Sequence, residues 1–183
     1  MRTLLFLLEE LSARDLLAGL LPTLVPTDVH CEHLVFEGKQ DLERNIPHKI
    51  RAWQRPDTRF LVLRDQDAAE CVAVKQRLTA LVPESHRAIT FVRVACRELE
   101  AWALGDWQAV AAAFDRPGLA DNQRKRPYRN PDKLANPILE LRKFVPHYQK
   151  RDGARRLGPL LDPGRNRSHS FRVFCAAIRS ACQ

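Results

Sequence analysis

The chain opens with an unbroken apolar run, Thr3-Leu4-Leu5-Phe6-Leu7-Leu8, that shows no polar alternation. Such a run predicts a strand covered on both faces. Ser12 is placed as an N-cap for Ala13 to Leu24, where apolar residues recur at helical spacing until Pro22 and Pro26 close the segment. His30 to Phe36 predicts a second strand, Glu37-Gly38-Lys39 a turn, and Gln40 to Trp53 a helix with Pro47 as a local irregularity. Phe60 to Leu63 predicts the third strand and Ala68 to Leu81 the helix after it. Ile89 to Ala95 predicts a fourth strand, followed by a helix over Glu98 to Phe114. Strands alternating with helices in this way predict an α/β fold with a mainly parallel, Rossmann-type sheet flanked by helices.

After Asp115 the texture changes. Pro117, Gly118, Pro127, Pro131 and Pro137 interrupt the chain, with Arg124-Lys125-Arg126 and Arg129 between them. Ile138 to Phe144 predicts a short helix. Tyr148 to Arg167 reads as irregular and carries Lys150, Arg151, Arg155, Arg156, Arg165 and Arg167. Ser168 to Ala181 predicts a closing helix with Phe171, Phe174 and Ile178 on one face. No internal repeat and no long linker separates the halves. The expected organisation is therefore an α/β core over 1–115 and a basic, helical and irregular extension over 116–183 that packs on it.

Composition narrows the class. At 183 residues and 45% hydrophobic content the chain can bury one sizeable core. No apolar stretch approaches the roughly 20 residues that span a bilayer. The first residues resemble the start of a signal peptide, but Glu9 and Glu10 cut the run short and no small-residue cleavage site follows. The expectation is a cytoplasmic protein with no membrane partner. Five cysteines, an odd number without a Cys-x-x-Cys pair, fit reduced thiols better than a disulfide frame or structural zinc. The net charge of +8 is unevenly spread. Residues 1–115 carry 14 Lys+Arg against 17 Asp+Glu, a net of −3; residues 116–183 carry 16 against 5, a net of +11. An acidic half joined to a basic half suggests a site that holds a metal and a polyanion together.

The chemistry gathers at the predicted strand ends. Glu9 and Glu10 follow strand one, Asp65 and Asp67 follow strand three, and Glu98 and Glu100 follow strand four. In an open parallel sheet these carboxyl ends share one edge, where ligands bind. Carboxylates there can hold Mg²⁺ or Mn²⁺, which polarises phosphoryl oxygens and generates hydroxide near neutral pH. His30-Cys31-Glu32-His33 invites a zinc reading, but residues three apart in a strand face opposite sides. Neither a Gly-x-Ser-x-Gly elbow nor a Walker A loop is present, so serine hydrolase and P-loop ATPase readings lack support.

The order of the acids carries a resemblance. Receiver domains place an acidic pair after strand one and a single Asp after strand three; haloacid-dehalogenase-type phosphatases place Asp-x-Asp after strand one. Glu after strand one and Asp-x-Asp after strand three resembles the toprim fold of topoisomerases, primases and overcoming-lysogenization-defect-type nucleases. Leu8-Glu9-Glu10 stands where toprim domains carry a Val-Glu-Gly-like turn, with Glu10 in the usual Gly position; Glu9 is the favoured site residue and Glu10 the alternative. Arg97-Glu98-Leu99-Glu100-Ala101-Trp102-Ala103-Leu104 is similar to the Glu-x-Trp-x-Leu element of toprim-like proteins from bacterial defence islands. Tyr148-Gln149-Lys150 and Asn166-Arg167-Ser168-His169-Ser170-Phe171 resemble later elements of one such family, a domain of unknown function. Its members are often encoded beside an ATPase of the ABC or SMC-like class.

The resemblance implies roles. Asp65 and Asp67 are metal ligands, Glu9 is a ligand or general acid/base, and Glu100 completes or orients the metal site. Lys150 contacts a scissile phosphate or a neighbouring carboxylate, and Arg97 can do the same from the tip of strand four. With Lys150 and Arg97, the basic residues Arg124, Lys125, Arg126, Arg155 and Arg156 form the expected nucleic-acid contacts. The implied function is Mg²⁺- or Mn²⁺-dependent phosphodiester cleavage of DNA or RNA, as effector of an antiphage defence system with an ABC/SMC-like ATPase partner. Two alternatives stand beside it: a non-catalytic toprim-like subunit that binds nucleic acid or docks the ATPase, and phosphoryl chemistry on a nucleotide. Self-association into a homo-oligomer is compatible with all three.

Overall fold

A computed structural model describes residues 2–183. Four parallel strands form one sheet: β1 (Thr3–Leu8), β2 (His30–Val35), β3 (Thr58–Asp65) and β4 (Thr90–Ala95). Their order is β2-β1-β3-β4, an α/β arrangement of Rossmann type. Among the described residues eight helices accompany them: α1 (Leu11–Leu20), α2 (Lys39–Ala52), α3 (Cys71–Leu81), α4 (Glu100–Leu104), α5 (Trp107–Ala113), α6 (Pro137–Arg142), α7 (Lys150–Leu157) and α8 (His169–Ala181). Short 3-10 turns supply the rest, three of them in succession between Pro117 and Lys133.

β1 is buried at every position, which is why it reads as an unbroken apolar run. Its side chains alternate between two cores. Leu4, Phe6 and Leu8 join Leu61 and Leu63 of β3 on one face. Leu5 and Leu7 join Phe60, Val62, Val92 and Val94 on the other, under Leu42, Ile46 and Ile50 of α2 and Val74 and Leu78 of α3. The first face is covered by α1 and by helices of the C-terminal third. Phe171 and Phe174 of α8 lie 5.2 and 5.1 Å, centroid to centroid, from the Trp102 ring. Trp107 packs against Tyr128 at 4.7 Å. Residues after 115 thus complete the core over one sheet face, and none of the described helices is long and apolar enough to cross a membrane.

Three expectations are corrected, the first being that Ser12 lies inside α1, which starts at Leu11 and ends at Leu20, rather than capping it. The helix expected over Glu98 to Phe114 is two helices, divided at Gly105-Asp106. Asp106, fully buried, caps α5 by accepting from the Ala109 N–H at 3.1 Å. A Cβ on Gly105 would lie 2.1 Å from Asn166 Oδ1, so the chain turns where only glycine fits. The stretch Tyr148 to Arg167, read as irregular, contains the regular helix α7. Its sequence, Lys-Arg-Asp-Gly-Ala-Arg-Arg-Leu, offers too few apolar side chains to show a period.

Candidate active site

β1 pairs Leu8 with Leu63, and β3 pairs Asp65 with Ala95 of β4. This register sets Glu10, Asp65 and the segment after Ala95 at one level of the carboxyl edge. Side-chain parity then separates the acids. Asp65 follows Leu61 and Leu63 onto the face covered by the C-terminal helices, whereas Arg64 projects to the opposite face, toward α2.

Around Asp65 the chain gathers four further carboxylates and one ammonium. Lys150, at the start of α7, places its Nζ 3.5 Å from Glu10 Oε1 and 4.0 Å from Glu98 Oε2. Glu100, 3% exposed, accepts from the Tyr148 hydroxyl at 3.2 Å through Oε1. Its Oε2 is buried with no hydrogen-bond partner. Glu9 accepts the Asp65 backbone N–H at 3.0 Å. Ser12, at the start of α1, donates to Glu10.

The protonation equilibria record unneutralised negative charge. Burial drives the Asp65 carboxyl well above the usual carboxylate range, and Glu100, Glu10 and Glu9 push it further, against Lys150. Burial also raises Glu100, again against Lys150. Glu9 is raised by burial, opposed by the hydrogen bond from Asp65. Burial works against the Lys150 ammonium, but Glu100, Glu10, Asp65 and Glu98 outweigh it and raise its pKa. Perturbed carboxyls that share one partly enclosed edge mark a functional site.

The oxygen-only donor set suits a hard cation such as Mg²⁺ or Mn²⁺ rather than a thiol- or imidazole-seeking metal. The orphaned Glu100 Oε2 is the specific vacancy in hydrogen bonding that a cation would satisfy. As the side chains stand, no three His, Cys, Asp or Glu among the described residues are grouped closely enough to hold a metal. Lys150 sits among them instead.

Asp67 is directed elsewhere. Its backbone is left-handed, at φ 58°, and its exposed carboxylate takes the Lys39 Nζ at 3.0 Å and lies 3.6 Å from Arg64 Nη2. Arg97 is also left-handed, at φ 63°. The Asp67 N–H donates to the Arg97 carbonyl at 3.0 Å, and the Arg97 N–H to Gln66 Oε1 at 3.1 Å. Two such conformations at adjoining strand tips cost about 1–3 kcal/mol each and cluster at functional sites.

A groove of about 610 Å³ lies against the cluster, with Glu9, Glu10, Phe36, Gly38 and Lys150 in its walls. The larger cavity, about 900 Å³, is at the amino end of the strands beside Arg2, Thr58 and Arg59, far from these acids.

The family model described as "Domain of unknown function (DUF4276)" matches residues 8–179. The chain belongs to that family. The matched stretch includes every residue of the acid cluster and nearly all of α8. No curated protein and no solved structure matches the chain.

The basic residues expected to meet nucleic acid divide by their surroundings. Arg124 and Arg126 are exposed on successive 3-10 turns and Lys125 is exposed between them, with its Nζ 6.0 Å from the Phe144 ring centroid. Arg155 lies 3.4 Å from Asp15, which also takes Arg151 at 2.7 Å, so these side chains tie α7 to α1. Arg156 pairs with Asp152 within α7 at 2.8 Å. Arg97 is partly buried at the tip of β4. Sequence reasoning gave no role to Tyr148, which holds Glu100, or to Arg64, whose buried guanidinium braces Glu43 and Asp67 on the other face; Glu98, one of the strand-four carboxylates, stands beside Lys150. The signal for Arg64 was a lone cation inside an apolar strand, a residue type that is buried only when paired.

Proposed function

We propose that this chain is a toprim-type, metal-dependent nuclease that cleaves phosphodiester bonds of DNA or RNA in the cytoplasm, as effector of a bacterial antiphage defence system with an ABC/SMC-like ATPase. The observation that carries the reading is the carboxyl-edge cluster: Asp65 and Glu100 with raised pKa values, and a buried Glu100 oxygen left without a partner. The order of its acids along the strands supports the toprim assignment. Asp65, Glu100 and Glu10 would hold Mg²⁺ or Mn²⁺. A bound ion there would polarise a phosphoryl oxygen of the substrate and generate hydroxide near neutral pH. Glu9 positions Asp65 through its backbone N–H, and Tyr148 positions Glu100. Lys150 neutralises the acids and is available to a phosphate once a cation shares that task. Asp67 joins the ligands only by leaving Lys39 and Arg64.

One observation favours a second reading. Lys150 already lies among Glu10, Glu98, Glu100 and Asp65, as it would in a subunit that binds nucleic acid or the ATPase without cutting. Cleavage of plasmid, single-stranded DNA and tRNA with Mg²⁺ or Mn²⁺, alone and with the neighbouring ATPase, separates the two. Metal-dependent cutting that falls by about 100-fold or more in Asp65→Asn and in Glu100→Gln supports the nuclease. Cutting untouched by both substitutions contradicts it, and no cutting with the ATPase present selects the binding subunit.

A further inference from the structure

Some arginines of the C-terminal third meet acids, while others, Arg124, Arg126 and Arg179 among them, are exposed without a side-chain partner among the described residues. Arg151 and Arg155 meet Asp15, Arg156 meets Asp152, and Arg165 meets Asp106 through two hydrogen bonds of 2.7 and 2.9 Å. These are matched, and Arg151 and Arg155 tie α7 to α1. Arg129, Arg167 and Arg172 form no ion pair and no side-chain hydrogen bond among the described residues, yet these three alone line a notch of about 470 Å³. Bringing like charges together without a carboxylate is unfavourable unless an anion is met there.

The backbone that carries the three is firmly fixed. Arg167 donates its N–H to the Gly105 carbonyl at 2.9 Å, and Asn166 Nδ2 donates to the Trp102 carbonyl at 2.8 Å. Arg129 follows Tyr128, whose buried ring packs on Trp107 and whose hydroxyl donates to Glu140 at 2.7 Å. Asp132 is the acid nearest in the chain to Arg129, and its two oxygens are taken by the Ser168 hydroxyl at 2.6 Å and the Ser170 N–H at 2.8 Å. Asp132 forms no ion pair with the three arginines, which stand on a rigid frame.

That frame is anchored at the edge that bears the acids. The Cys96 N–H, just past β4, donates to Ser170 Oγ at 3.3 Å, and Trp102 Nε1 donates to the same oxygen at 2.9 Å. The helix carrying Arg172 thus begins at the carboxyl edge of the sheet.

From the unmatched charge, the fixed frame and this shared edge we infer that Arg129, Arg167 and Arg172 form a clamp for the phosphodiester backbone of a nucleic acid strand. Planar guanidiniums take phosphate oxygens in pairs, and three of them at one notch fit successive or flanking phosphates rather than a base edge. The inference deepens the nuclease reading by locating its substrate contact, and it rests on that reading for the choice of nucleic acid.

The test is binding of fluorescent DNA and RNA oligonucleotides to the full chain carrying Asp65→Asn, in EDTA, across a salt series. Each backbone contact contributes roughly 0.9 to the log–log salt slope for duplex DNA, so Arg129→Gln/Arg167→Gln/Arg172→Gln should lower the slope by roughly 2 to 3. Affinity at 0.15 M salt should fall about 10-fold or more. Arg44→Gln/Lys49→Gln/Arg51→Gln, which removes the same charge from the exposed face of α2, should move it far less. An unchanged slope in the clamp variant, an equal loss in the α2 variant, or no binding by the parent chain overturns the inference. So does displacement of the oligonucleotide by inorganic phosphate or a mononucleotide at equal phosphate concentration, which assigns the notch to free phosphate. Because binding is read without metal, loss of the clamp leaves the cleavage result standing, and absence of cleavage leaves the clamp measurable.

Discussion

The Tyr148 hydroxyl donates to one of the two Glu100 oxygens, so Tyr148→Phe would leave a buried carboxyl with neither satisfied. A stability loss of about 1–3 kcal/mol is expected by denaturant titration in EDTA, with a smaller loss when Mn²⁺ is added. Protonation gives a second prediction at this scale. Glu9, Asp65 and Glu100 have folded pKa values above their ordinary 4.5, 3.8 and 4.5, so the folded state binds protons more tightly than the unfolded chain. Their stabilisation is complete below those ordinary values and is lost as pH rises through the raised ones. The denaturation midpoint in EDTA should therefore fall as pH climbs above the ordinary carboxylate range, with His33, whose pKa burial lowers, acting in the opposite sense, and Asp65→Asn/Glu100→Gln should remove that fall. A midpoint that rises over this range in the parent chain, or a slope the double variant leaves intact, would contradict the account. Single residues also mark where sequence reading stopped. Asp65 was legible because it ends an apolar strand. Whether Glu9 or Glu10 meets Lys150 depends on how the backbone turns after Leu8, and the left-handed turn that sends Asp67 toward Lys39 has no glycine to announce it.

At the scale of elements, α7 is the piece that completes the site, and its packing rests on Gly153. A Cβ there would lie 2.1 Å from Tyr148 Cε2. Alanine is favoured over glycine inside a helix by up to about 1 kcal/mol. Overpacking costs typically 1–3 kcal/mol, so Gly153→Ala is expected to be net destabilising, by thermal unfolding, and to displace Tyr148 from Glu100. Equal or greater stability of this variant would mean that α7 sits more loosely on the cluster than its contacts imply. The central strands β1 and β3 were legible because burial on both faces gives apolar runs bounded by turn residues, whereas the edge strand β2, His30–Val35, is half-exposed and mixes polar with apolar positions. The helix α7 was not, since its buried side is made of Gly153, Ala154 and Leu157, too few and too small to write a period. The break at Gly105-Asp106 carried a readable signature, a glycine stop followed by an aspartate cap, but it was overridden by the helical pattern on either side.

For the whole molecule, the change of charge at residue 115 does not coincide with a change of core. Trp102 and Trp107 are fully buried against Phe171, Phe174 and Tyr128, all from the basic portion. Residues 1–115 made alone would expose that face and are expected to lack a cooperative unfolding transition, measured by calorimetry. A sharp transition in the fragment would show that the acidic half folds by itself. Lys150 comes from beyond residue 115 while the acids around it come from before, so folding and assembly of the site are one event. The central claim is that this assembled edge binds a divalent ion. Calorimetric titration of Mn²⁺ into the full chain, beside Asp65→Asn/Glu100→Gln, tests it most directly. The account predicts saturable binding in the parent that is lost in the double variant. A parent that takes up no Mn²⁺, or a variant that binds as well as the parent, would contradict it.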